Sequence, residues 1–248
     1  MSSLGKKYIM ALTGLILVGF VVGHMVGNLQ MFLHPDWINE YAYKLHNLPY
    51  GLLWVVRLVL LVAVVAHIVA AFLLVLENKR ARPEGYVEKA SLQASFASRT
   101  MRYSGGILLL FIIFHLMHFT VQNVHPEFQD LETELAGVGT MHQVYDKLSA
   151  QGKTEVHDVF SMVVHGFSPR FWYVPVFYVV SMGLLCLHLM HGVSSMFQSL
   201  GLRNAVWRIR LDRVALVVAL VVFVGFASIP LASLAGLLEP ITPLTAAH

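Results

Sequence analysis

Residues 19–30 read GFVVGHMVGNLQ, an apolar run with one histidine, His24, set inside it. The run belongs to a longer apolar stretch, 7–32, long enough to cross the roughly 30 Å hydrocarbon layer of a bilayer as a helix. An imidazole at that depth is costly, so it faces a bundle interior, where it binds or relays something. Gly19, Gly23 and Gly27 recur every four residues. On a helix that spacing leaves one face without side chains, open to a second helix or a flat ligand. A packing face alone explains the glycines, and one interhelical hydrogen bond explains one histidine. The reading therefore turns on whether other segments repeat the arrangement.

Four further stretches have the length of a span: 52–76, 103–124, 172–197 and 214–238. With 57% hydrophobic and 12% charged residues and a mean hydropathy of +0.67, the chain lies outside the soluble globular range. The expectation is an all-α, integral membrane bundle of five transmembrane helices forming a single domain over 1–248, because an open sheet leaves backbone groups unpaired in lipid. The first span lacks an A-x-A cleavage signal and reads as retained. Cys186 is the only cysteine, which excludes an internal disulfide, an iron–sulfur cluster held by this chain alone and C-x-x-C-H haem attachment. Any metal falls to His, Met or carboxylate. The net charge of +3 without a basic block gives no nucleic-acid partner, and the lipid bilayer is the expected surroundings.

Charge orients the bundle. Lys6, Lys7, Lys79, Arg80, Arg82, Lys89, Arg99, Arg102, Arg203, Arg208, Arg210 and Arg213 fall on one side, against Lys44, Lys147, Lys153 and Arg170 on the other, which carries ten of the fourteen acids. The positive-inside rule makes the N-terminus cytoplasmic, in a multi-pass protein of the cell's inner (cytoplasmic) membrane. Residues 144–167 have helix-like apolar spacing and read as short interfacial helices. Ser168 and Pro169 read as cap and first turn of the fourth span. Pro230 is expected to kink the fifth. No internal repeat stands out.

His24, His67, His115 and His188 sit one in each of the first four spans. Alternating helix direction puts His24 and His115 at an outer depth and His67 and His188 at an inner one. Opposed imidazoles at one depth suit the two axial positions of a haem, and two pairs suit two haems. An iron with both positions filled has no open site and serves electron transfer. Small residues make room for a porphyrin: Gly27 near His24, Ala70 and Ala71 near His67, Gly192 near His188. The second nitrogen of each ring needs an acceptor, for which a backbone carbonyl one turn back is the expectation. His118 and His191 follow His115 and His188 at i+3 and share their faces, so spacing alone leaves the choice open. A zinc or copper path would add acids within the spans, and these have almost none.

At this point the chain resembles the five-helix, dihaem cytochrome b membrane anchor of succinate:menaquinone oxidoreductases and fumarate reductases, the complex II family. The resemblance covers nearly the whole chain. It rests on GKKYIMALTG leading to H-x-x-x-N at His24 and Asn28, NLPYG before the span with His67, RYSGG ending nine residues before His115, and H-x-x-x-G at His188 and Gly192. Those frames favour His115 and His188. The resemblance implies two haem b groups, with menaquinone as substrate. It also implies a flavoprotein and an iron–sulfur subunit on the cytoplasmic face, with electrons running from succinate to the inner haem, the outer haem and quinone. It implies a quinone site near the outer haem using a carboxylate at the start of the second span. This chain has none there, and the candidates are Glu40, Tyr41, His46 and Arg57. Arg57, just inside a span, also suits a haem propionate, as do Arg99, Arg102 and Ser104 at the inner haem. The alternatives are the cytochrome b subunit of a formate dehydrogenase or hydrogenase, a haem-free anchor, and a transporter moving protons on its histidines.

Overall fold

A computed structural model describes residues 2–81, 96–137, 142–152 and 155–244; Arg82, Lys89 and Lys153 of the charge pattern lie outside them. The first helix, α1 (Ser3–Asn28), starts at Ser2, whose hydroxyl accepts from Gly5 N at 3.2 Å, an N-cap that satisfies one of the free amides of the first turn. It runs on as a 3-10 turn, Leu29–Phe32. A short helix, α2 (Pro35–His46), follows, with proline in its first turn. The chain then reverses through Tyr50 and Gly51, at φ 57° and 67°. Glycine adopts that left-handed conformation freely and tyrosine does not, so the NLPYG turn sets the entry angle of α3 (Leu52–Arg80) at some local cost.

Helix α4 (Phe96–His115) widens after its last residue into a π turn, Leu116–Thr120. Beyond the loop region come α7 (Tyr173–Ser199) and α8 (Arg208–Leu234). Five segments are long and apolar enough to cross a membrane: Ser3–Phe32, Pro49–Arg80, Arg99–Thr120, Tyr173–Ser199 and Arg208–Leu234. The third stops at Thr120 rather than 124, because the π turn ends there and Gln122 takes φ 60°. The fifth begins at Arg208 and passes through Pro230 to Leu234.

Helix α7 packs against α8, α4 and α1, whereas α3 packs chiefly along α1. At the N-terminal end, Lys6 pairs with Glu77 Oε1, and Ser3 Oγ donates to Glu77 Oε2 at 2.8 Å, tying the start of α1 to the end of α3. The outer face of α3 leaves Trp54, Leu58, Leu61 and Phe72 exposed, as a lipid-facing helix does. An added Cβ at Gly225 would overlap Met25, so its missing side chain is what lets α8 close on α1.

The opposite, loop-rich end contains α5 (His142–Ser149), α6 (Val159–Gly166) and a two-stranded antiparallel ribbon, β1 (Glu132–Glu134) with β2 (Glu155–His157), in which Thr133 faces Val156. The two helices match the helix-like spacing of 144–167; the ribbon was not expected. Three residues a strand are too few for period-two alternation to show in sequence. Asp158, fully buried, caps α6 by accepting from Ser161 N at 2.9 Å, and also accepts from Asn39 Nδ2 on α2 and Thr242 Oγ1. Phe128, Leu131 and Met162 pack beneath this end.

Candidate functional site

Thr13 stands eleven residues before His24 on α1, and Ser104 eleven before His115 on α4, each followed by glycine. The fold sets each hydroxyl–glycine pair against the histidine of the next long helix. Thr13 Oγ1 lies 3.1 Å from His67 Nδ1 on α3, and Ser104 Oγ lies 3.2 Å from His188 Nδ1 on α7. A Cβ at Gly14 would stand 3.5 Å from His67 Cε1, and one at Gly105 3.5 Å from His188 Cε1. Each glycine thus lies beside an imidazole edge, at a distance where a methyl group would just make van der Waals contact.

The hydroxyl protons are committed elsewhere. Thr13 Oγ1 donates to Ile9 O at 2.7 Å and Ser104 Oγ to Met101 O at 3.0 Å. Having one proton each, both hydroxyls act as acceptors toward the rings. Nδ1–H of His67 and of His188 therefore donates, and Nε2 of each carries the lone pair. The acceptors are side-chain hydroxyls of other helices, not the backbone carbonyl one turn back that the sequence led us to expect. The carbonyls one turn back could accept a second bond, as Ala42 O does from His46, but here an adjoining helix aims a hydroxyl at each ring edge.

The rings of His67 and His188 meet with centroids 6.5 Å apart and planes at 56°. Nearer the loop-rich end, His24 and His115 meet at 5.9 Å and 78°. Two imidazoles holding one ion between them, each with a metal–nitrogen bond of about 2.0 Å and ~1.1 Å from nitrogen to ring centre, would have centroids roughly 6.2 Å apart. The observed separations bracket that value, and a rotation between ring planes is free about a shared axis. Among the described residues no three His, Cys, Asp or Glu converge as a metal site. Paired imidazoles fit an ion whose remaining ligands come from a macrocycle such as haem.

The second pair is held differently. Phe20 stacks on His24 at 5.3 Å and 13°, and Phe111 on His115 at 5.8 Å and 23°. Asn28 Nδ2 donates to His24 Nε2 at 3.4 Å, which places the lone pair on Nε2 and engages it with the amide. Tyr178 Oη lies 3.3 Å from His115 Nδ1 and 3.0 Å from His118 Nδ1, a phenol shared between two rings. His118 is fully buried and stacks on Phe119 at 3.9 Å. A π turn, Leu116–Thr120, starts directly after His115, and both histidines still reach the same phenol.

The remaining candidates scatter. Gly27 receives the Tyr41 ring, whose Cε1 lies 2.9 Å from where a Cβ would stand, and Gly192 faces Met101. Ala70 is buried. Arg57 stacks over Trp54 at 4.9 Å and Arg102 over Tyr103 at 4.7 Å. Ser104, read from sequence as a propionate partner, lies against His188 Nδ1. Glu40 is buried on α2 beside Tyr41, while His46 is exposed and donates from Nδ1 to Ala42 O at 2.9 Å. Thr13, Gly14, Gly105 and Tyr178 had not been singled out from the sequence. The signal that finds three of them is the short repeat, hydroxyl–glycine eleven residues before histidine, in two helices. No protein-family model, curated protein or solved structure matches this chain.

Proposed function

We propose that the chain is a dihaem cytochrome b subunit that anchors a succinate dehydrogenase or fumarate reductase to the cytoplasmic membrane and links it to menaquinone. The observation that carries the reading is the pairing of four intramembrane imidazoles at axial-ligand separation, with the His67 and His188 tautomers fixed to present Nε2. His67 with His188, and His24 with His115, would each hold one haem. Haem held by two imidazoles would supply one-electron transfer. Tyr41 and buried Glu40, on the helix that covers the histidine-bearing end of α1, are the quinone candidates, with Arg57 at the start of α3. The lysines and arginines at the N-terminal end are the docking face for a flavoprotein and an iron–sulfur subunit.

The test is purification under mild detergent from the native membrane, followed by reduction with succinate alone. Co-purification of a flavoprotein and an iron–sulfur protein, with the absorption of reduced b-type haem appearing on succinate addition, is the expected result. Recovery of a formate dehydrogenase or hydrogenase subunit instead, or of partners with no Soret band, refutes it.

A further inference from the structure

We infer that Thr13 and Ser104 are positioning residues that set the orientation and electron donation of the His67/His188 pair, and of that pair alone; the inference rests on the haem reading above. Three observations carry it. The same hydroxyl–glycine pair recurs on two helices, each eleven residues before the histidine of its own helix. In both copies the hydroxyl reaches Nδ1 of a histidine on the next long helix, and the glycine lies beside the same ring, where a Cβ would stand 3.5 Å from Cε1. In both copies the hydroxyl's own proton is held by a carbonyl of its own helix, Ile9 O or Met101 O, so that it stays an acceptor.

The consequence is chemical as well as geometric. An acceptor on Nδ1–H makes the opposite nitrogen a stronger donor, which favours the more oxidised metal and lowers its reduction potential. The His67/His188 pair carries such an acceptor on both faces. The His24/His115 pair has the Tyr178 phenol on one face, and that phenol is shared with His118. Removing either hydroxyl at the first pair therefore weakens one ligand of the same iron, whereas the second pair lies beyond the reach of both.

The experiment is a spectroelectrochemical titration of the intact complex carrying Thr13→Val, Thr13→Ser, Ser104→Ala or Ser104→Thr. Thr13→Val and Ser104→Ala should move the same one of two titration steps to higher potential, or remove the same haem. Thr13→Ser and Ser104→Thr should return it to the wild-type value. The inference is overturned if both steps keep their wild-type potentials in Thr13→Val and Ser104→Ala. It is equally overturned if the two variants move different steps, or if the hydroxyl-keeping variants fail to restore the shifted one. A wild-type complex without two haems overturns the functional reading and this inference with it, while two haems whose potentials ignore the hydroxyls overturn this inference alone.

Discussion

Replacing Asp158 with alanine should release the loop-rich end that holds Tyr41 against Gly27. The Asp158 carboxylate is fully buried and accepts three hydrogen bonds, from Asn39 Nδ2 at 3.1 Å, Ser161 N at 2.9 Å and Thr242 Oγ1 at 2.6 Å. Losing the α6 cap costs about 1 kcal/mol. Leaving the Asn39 amide buried without its acceptor costs roughly 1–3 kcal/mol, and the half-buried Thr242 hydroxyl adds about 1 kcal/mol. The total is about 3–5 kcal/mol. Asp158→Asn keeps one carbonyl oxygen for Asn39 and Ser161 and should lose only ~1–2 kcal/mol, the part owed to the charge. Hydrogen exchange reads this locally: amides of α6 and of Ile241 and Thr242 should lose protection in Asp158→Ala by the larger figure, while α7 and α8 keep theirs. Equal, small losses in both variants would show that this carboxylate is not what joins α2, α6 and the C-terminal segment.

His115→Ala should remove one haem, whereas His118→Ala should keep both and cost stability through the space left beside Phe119; haem quantitation of the two purified variants separates them. At Gly225, alanine should destabilise the α1–α8 contact by roughly 1–3 kcal/mol, and Met25→Ala in the same chain should relieve part of it, measured as unfolding in mixed micelles. On β2, burial holds the His157 imidazole below its ordinary pKa, and the ring accepts from Gln122 Nε2 at 3.2 Å. Because the folded pKa is the lower one, the neutral ring's stabilisation is complete above the unfolded value of about 6.5 and erodes as pH falls below it. Protection of the β1–β2 amides should drop accordingly, and His157→Gln should remove that part of the pH dependence.

Much of this was legible before the fold was known, and the reason is the bilayer. Lipid demands long uninterrupted apolar helices, so five spans stand out, and with them one histidine inside each of the first four. The depth of a histidine follows from rise per residue and helix direction, which is why His24 with His115 and His67 with His188 were the natural pairs. What the sequence hid depends on contacts between helices. Thr13 looks like any threonine in a span until α3 brings His67 to it. Ser104, near Arg102, read as a partner for a propionate rather than for an imidazole. Tyr178 carries no spacing signal, and the π turn after His115 is a backbone choice that i+3 arithmetic does not contain. The interfacial segments were least legible, because β1 and β2 are held by cross-strand pairing and by the Asp158 cluster rather than by periodicity.

The most direct measurement is a dithionite-reduced minus oxidised absorption spectrum of the purified chain, with haem quantified against protein. Two b-type haems per chain, both low-spin and without binding of carbon monoxide, are expected if the paired imidazoles fill every axial position. One haem, none, or a carbon monoxide complex formed by the wild-type protein would contradict the account.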